Sequence, residues 1–120
     1  MTEVIRDFKQ LKVWQRSIEL VEKIYQIVNY FPHNENFGLS SQLKRAAVSI
    51  PSNIAEGFNR THKDYIRFLT IALGSLAELE TQLIISYRVK LSKKEKVEFI
   101  LNDLNQITKM ISALISKLKG

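Results

Sequence analysis

Two histidines, twelve carboxylates and no cysteine are what this 120-residue chain offers for chemistry. Without cysteine there is no thiolate nucleophile, no thiolate metal site and no disulfide framework. His33 and His62 fall at or beside predicted helix connections, and neither has the partners of a nucleophilic triad. The Glu-x-x-His pairs that hold metals in di-iron bundles are missing, because no glutamate is followed three residues later by histidine. Neither histidine is preceded at four to six residues by the arginine that some helical ribonucleases use. No glycine-rich dinucleotide fingerprint and no phosphate-binding loop occurs. The expectation is a protein without enzymatic activity, cofactor or metal.

The elements that position the remaining polar residues are helical. Four glycines, two prolines and no sustained alternation describe an all-α chain. Helices are predicted at about 8–31, 37–57, 62–90 and 93–119. Pro32 and His33-Asn34-Glu35-Asn36 end the first. The second starts between Glu35 and Ser41, contains Pro51, which should bend it, and ends at Gly57 as the residue after the cap. Thr61-His62-Lys63-Asp64 and Ser92-Lys93-Lys94-Glu95 read as helix-start capping boxes, the first a weak variant. Short connections make sequential helices antiparallel neighbours, so residues 1–120 form a single up-down-up-down four-helix bundle.

On a helical wheel, the first helix carries two apolar stripes. Leu11, Trp14, Ile18, Val21, Tyr25 and Val28 form one; Val13, Leu20, Ile24, Ile27 and Phe31 form the other. Together they span roughly 200°, twice what a surface helix needs. The third helix is apolar over about half its circumference. A bundle of this length cannot hide all of that surface, and large exposed apolar patches mark contacts. The expectation is a homo-oligomer joined through helix 1 or helix 3, with Val13, Leu20, Ile24 and Ile27 at the subunit contact. In helix 4, Val97, Leu101, Leu104, Ile107, Ile111, Leu114 and Leu118 make one stripe, and Asp103 and Gln106 belong to the solvated face.

A polar row, Gln42, Arg45, Ser49, Ser52 or Asn53, and Glu56, runs beside the apolar face of helix 2. Antiparallel pairing with helix 3 brings Glu56 toward Lys63 and Arg67, and Gln42 and Arg45 toward Ser75 and Glu78. Glu80 points into the apolar arc of helix 3 and needs a cation such as Arg45. This seam reads as structural, fixing register, ahead of a ligand site.

Lys and Arg outnumber Asp and Glu by 18 to 12, a formal charge of +6. The bundle topology gathers Arg88, Lys90, Lys93, Lys94 and Lys96 at the turn between helices 3 and 4. Arg6, Lys9, Lys12, Arg60, Lys63, Lys117 and Lys119 gather at the opposite end. Such surfaces suit sequence-independent contact with RNA or DNA phosphates. Aromatic residues are only weakly interleaved with this charge in the sequence, so stacking of single-strand bases is not indicated. A protein-interaction scaffold whose charge confers solubility is the alternative, and a small-molecule site inside the bundle or along an oligomer axis is a weaker one. The amino terminus lacks a signal-peptide pattern, no run approaches the roughly 20 apolar residues that span a bilayer, and a cytoplasmic setting without membrane is expected.

Three segments carry a resemblance: Phe8-Lys9-Gln10-Leu11-Lys12-Val13-Trp14-Gln15, Phe37-Gly38-Leu39 through Ala55-Glu56-Gly57, and Gly74-Ser75-Leu76-Ala77-Glu78-Leu79-Glu80. Gln42-Leu43-Lys44-Arg45-Ala46-Ala47, Ser49-Ile50-Pro51 and Asn53-Ile54-Ala55-Glu56-Gly57 are its specific parts. Over nearly the whole chain the sequence resembles the small bacterial four-helix-bundle proteins encoded by intervening sequences of large-subunit ribosomal RNA genes. It is similar in turn to the accessory variability determinant of diversity-generating retroelements. The resemblance implies a ring-like homopentamer and a role in nucleic-acid binding. It brings no catalytic residues.

Overall fold

The computed structural model describes residues 4–120; Met1, Thr2 and Glu3, part of the amino-terminal segment read above, lie outside the described residues. Among the described residues there are four α-helices and no strand: α1 (Lys12–Val28), α2 (Leu39–Phe58), α3 (His62–Arg88) and α4 (Lys94–Lys119). Two 3-10 turns, Phe8–Gln10 and His33–Glu35, precede α1 and α2. Contacts run α1–α2, α2–α3, α3–α4 and α4–α1, which leaves α1 diagonal to α3 and α2 diagonal to α4. This is a four-helix bundle, as the apolar periods and short connections require. It measures 48 × 26 × 21 Å. The 27 residues of α3 alone rise about 40 Å.

Several helix ends differ from expectation, each for a local reason. Residues 8–10 are a 3-10 turn, because Asp7 accepts from the Lys9 N–H at 2.9 Å while Gln10 Oε1 accepts from the Asp7 N–H at 3.0 Å. Extended Leu11 then separates that turn from α1. α1 stops at Val28, ahead of Pro32, and Phe31 folds back into the core. Gly57 is not a left-handed cap; it lies inside α2, buried, and no glycine has positive φ among the described residues. A Cβ on Gly57 would stand 2.8 Å from the Phe68 Cβ and 3.0 Å from Tyr65 Cδ1, so α2 and α3 approach closely there. Ser92 does not cap α4: Lys93 holds that position without a side-chain bond. Thr61 does cap α3, accepting from the Asp64 N–H at 3.2 Å.

The core is aliphatic, with Leu20, Ile24, Leu43, Ile50, Ile54, Leu69, Leu79, Leu83, Ile107 and Ile111 fully closed off. The four residues expected at a subunit contact are part of it. Val13, Leu20, Ile24 and Ile27 are 5, 0, 0 and 6% exposed within their own chain. The wheel separates two stripes on α1 without saying which one turns inward, and the stripe expected at a subunit contact is the one that fills the subunit's own core. The outward stripe is Trp14, Ile18 and Val21, half-buried, and Tyr25, 43% exposed.

α3 is the most apolar helix: it contains an 18-residue window of mean hydropathy 1.4, long and apolar enough to cross a membrane by length and composition alone. In the bundle it lies between α2 and α4, with Leu69, Ala72, Leu76, Leu79 and Leu83 buried and Ile71 and Ile85 partly open.

Candidate nucleic-acid interface

The α3–α4 turn is built on a buried serine. Lys90 adopts φ 69° and reverses the chain after α3. The Leu91 N–H donates to the Ser86 carbonyl at 2.8 Å and the Lys90 N–H to the Tyr87 carbonyl at 3.0 Å, a Schellman closure. The Ser86 hydroxyl, fully buried, donates to the Leu83 carbonyl at 2.7 Å and so accepts from Ser92 at 2.5 Å. Leu91 packs on the core. A turn tied at these points holds Arg88, Lys90, Lys93 and Lys94 exposed at one end of the bundle.

The end of α1 reaches the same place. Phe31 is buried and its neighbour Tyr30 is thrown outward, 76% exposed. Between this segment and the start of α4 lies a hollow of about 580 Å³, lined by Lys23, Gln26, Ile27, Asn29, Tyr30, Glu95, Lys96, Phe99 and Ile100. A second hollow of about 460 Å³ adjoins it along the α3–α4 turn, sharing Ile27, Tyr30 and Lys96 and adding Tyr87, Lys90 and Lys93. Ammonium groups stand over the rings: Lys96 over Tyr30 at 4.5 Å, Lys23 over Phe99 at 5.1 Å and Lys94 over Tyr87 at 6.0 Å. Cation–π contact of this kind stabilises each pair and keeps the cation near the ring face. Phe99 remains 64% exposed. Glu95 at the rim is the opposing charge, and Glu98 faces Lys94 at 3.9 Å. Aromatic rings and cations are therefore interleaved in space, which corrects the expectation drawn from their separation in sequence.

A model of the 23S rRNA-intervening sequence protein family matches residues 9–113. The chain belongs to this family. It is also similar, at 30% identity, to a solved structure from Bacteroides thetaiotaomicron, described as a protein with unknown function from the S23 ribosomal protein family. The alignment covers 86% of this chain and 97% of that one, with a TM-score of 0.80. No curated protein matches. Every residue lining the two hollows lies inside the matched region. Arg6, Lys117 and Lys119 lie outside it.

The opposite end is less open electrostatically. Lys9 pairs with Asp7 at 3.6 Å, and Arg60 with Glu56 at 2.9 Å while its Nε donates to the Glu56 carbonyl. Arg6, Lys12, Lys63, Lys117 and Lys119 are exposed there. His62 is the exposed first residue of α3, and His33 is exposed in the turn before α2.

The expected ionic seam between α2 and α3 is made of hydroxyls instead. Ser49 and Ser75 bond across it at 2.8 Å, and Asn53 Nδ2 donates to the Ser49 hydroxyl at 2.9 Å and carbonyl at 2.7 Å. Arg45 is exposed and reaches only Ser41, at 3.4 Å; Gln42 is exposed. Glu56 is taken by Arg60 rather than Lys63 or Arg67, and Arg67 faces Asp64 at 3.8 Å. Glu78 accepts from Gln82 at 3.1 Å. Glu80 is half-buried and has no ion pair among the described residues. The close approach at Gly57 favours short side chains near the contact and turns the long charged ones outward. An ionic cluster does exist on the other side, where Asp103 of α4 bonds Lys23 and lies 3.8 Å from Arg16. Sequence reading missed it and also missed Tyr30 and Phe99. A usable signal was present: both aromatics fall outside the core stripes of their segments.

Proposed function

We propose that this protein is a non-enzymatic, homo-oligomeric helical bundle that binds RNA or DNA without sequence preference, through the basic end formed by the α3–α4 turn and the close of α1. The carrying observation is the set of exposed cations Arg88, Lys90, Lys93, Lys94 and Lys96 at one end of the bundle, of which Lys90, Lys93 and Lys96 line a pair of adjoining hollows. Assembly as a pentamer is what the family resemblance implies, and it would repeat that end around an axis. Cations that neutralise phosphates release condensed counterions, so affinity falls steeply with salt.

The test is a titration with single-stranded and duplex RNA and DNA at two salt concentrations. Binding in the micromolar range that weakens with salt is expected for all four. Replacing Lys90, Lys93 and Lys94 by Gln should weaken binding and flatten the plot of log affinity against log salt by roughly 2 to 3, at a little under one per lost phosphate contact. Absence of salt-sensitive binding to any of them would leave a protein-interaction scaffold as the better reading.

A further inference from the structure

The basic end holds more than charge. Tyr30 is 76% exposed and Phe99 64%, and both line one hollow. A large aromatic ring on a protein surface is normally drawn inward, since burying it removes apolar area from water. Here neither ring is committed to the core. Each instead has a lysine ammonium placed over it, Lys96 at 4.5 Å and Lys23 at 5.1 Å. The floor between them is apolar, formed by Ile27 and Ile100.

We propose that this hollow takes the unpaired bases of single-stranded nucleic acid, stacking them on Tyr30 and Phe99 while Lys96 and, along the adjoining hollow, Lys90 and Lys93 meet the flanking phosphates. The proposal rests on the polyanion reading above and names its substrate class. A π face accepts any base, so stacking adds affinity without sequence preference. Rings and cations that line one hollow match the alternation of base and phosphate along a strand. A duplex keeps its bases stacked on one another and offers this hollow only its phosphates. Gln26 and Asn29 at the rim present amide donors and acceptors to base edges. Glu95, the carboxylate at the rim, repels phosphate and accepts from exocyclic amines, so it favours bases over backbone at its own position.

The experiment compares three probes of about 12 nucleotides at one moderate salt concentration: a single-stranded RNA of mixed sequence, its duplex, and a strand of the same length lacking bases. The unaltered protein should bind the single strand at least about 10-fold more tightly than the abasic strand, the effect of one to two stacked bases. Tyr30→Ala/Phe99→Ala should remove that difference and leave duplex and abasic binding as they were. Tyr30→Phe should retain it. Both side chains are largely outside the core, and the comparison of probes on the unaltered protein needs no variant. Equal, salt-sensitive binding of all three probes overturns base stacking and leaves the phosphate reading standing. No salt-sensitive binding of any probe overturns both.

Discussion

Tyr65 carries a hydroxyl into the bundle without a hydrogen-bond partner among the described residues. Its ring is 6% exposed and meets Phe58 edge-on at 6.1 Å. Burial raises its pKa above the ordinary tyrosine value of 10.0, because the phenolate is the form that loses solvation. With the folded-state value raised, the unfolded chain gives up the proton first. The stability linked to neutral Tyr65 is therefore complete below pH 10 and declines as pH climbs toward the folded-state value. Tyr65→Phe keeps the edge contact and removes the unpaired oxygen. It should raise stability by about 1 kcal/mol, roughly 4 °C in Tm, and flatten the alkaline decline. Thermal melts of both proteins near neutrality and above pH 10 check this. Asp103 is a contrasting case. Its carboxylate is 25% exposed and bonds Lys23, with Arg16 beside it, so Asp103→Asn should cost about 1 kcal/mol or less, and less in high salt, measured by urea titration. Wheel position alone placed Asp103 in solvent. What it left out is that long cations on α1 reach over the helix boundary to meet it.

At the scale of elements, two glycines separate packing from propensity. Gly57 lies against α3 with atoms 2.8, 3.0 and 3.3 Å from where a Cβ would stand, two of them the Phe68 Cβ and the Tyr65 Cα. Neither atom yields without moving the α3 backbone, so Gly57→Ala should destabilise by about 1–3 kcal/mol. Gly74 sits in the middle of α3 with open space around its missing Cβ, and Gly74→Ala should stabilise by about 0.5–1 kcal/mol. Denaturant midpoints that move in opposite directions confirm both. Lys90 tests the Schellman turn in the same way. At φ 69° a lysine is strained where glycine is not, so Lys90→Gly should gain up to about 1 kcal/mol. Much at this scale was legible in the sequence. Four helices, their breaks at Pro32 and Asn59–Thr61, and the Thr61 cap follow from local patterning. Gly57 was misread because a glycine near a helix end fits either a left-handed cap or a close helix contact, and only the neighbouring helix decides. Ser92 was misread because its hydroxyl has a tertiary partner, Ser86, that no local motif reveals.

For the whole molecule, the outward stripe of α1 is the feature that folding leaves unresolved. Trp14, Ile18 and Val21 stay half-buried, Tyr25 is 43% exposed, and Val48 on the adjoining α2 is 41% exposed. Lys44 of α2 lies over the Tyr25 ring at 4.9 Å, which ties the two helices into one face. The apolar arc of α1 was legible; its division into an inner and an outer half was not, because that depends on how α1 is rotated against α2 and α4. The proposed assembly accordingly belongs on the outer half. A second copy covering this face would take Tyr25 and Val48 out of water, while Val13, Leu20, Ile24 and Ile27 serve the subunit's own core. Val48→Glu and Tyr25→Glu place a charge in such a contact without touching the interior. Sedimentation at micromolar concentration should show an assembly for the unaltered protein and a smaller species for each variant. Trp14 is the single tryptophan, so its emission should shift to the red on dissociation. An unaltered protein that already sediments as a monomer removes the assembly and leaves the basic end to act as a single copy. In that case the affinity for long RNA should equal that for a strand just filling one hollow pair, with no gain from linked sites.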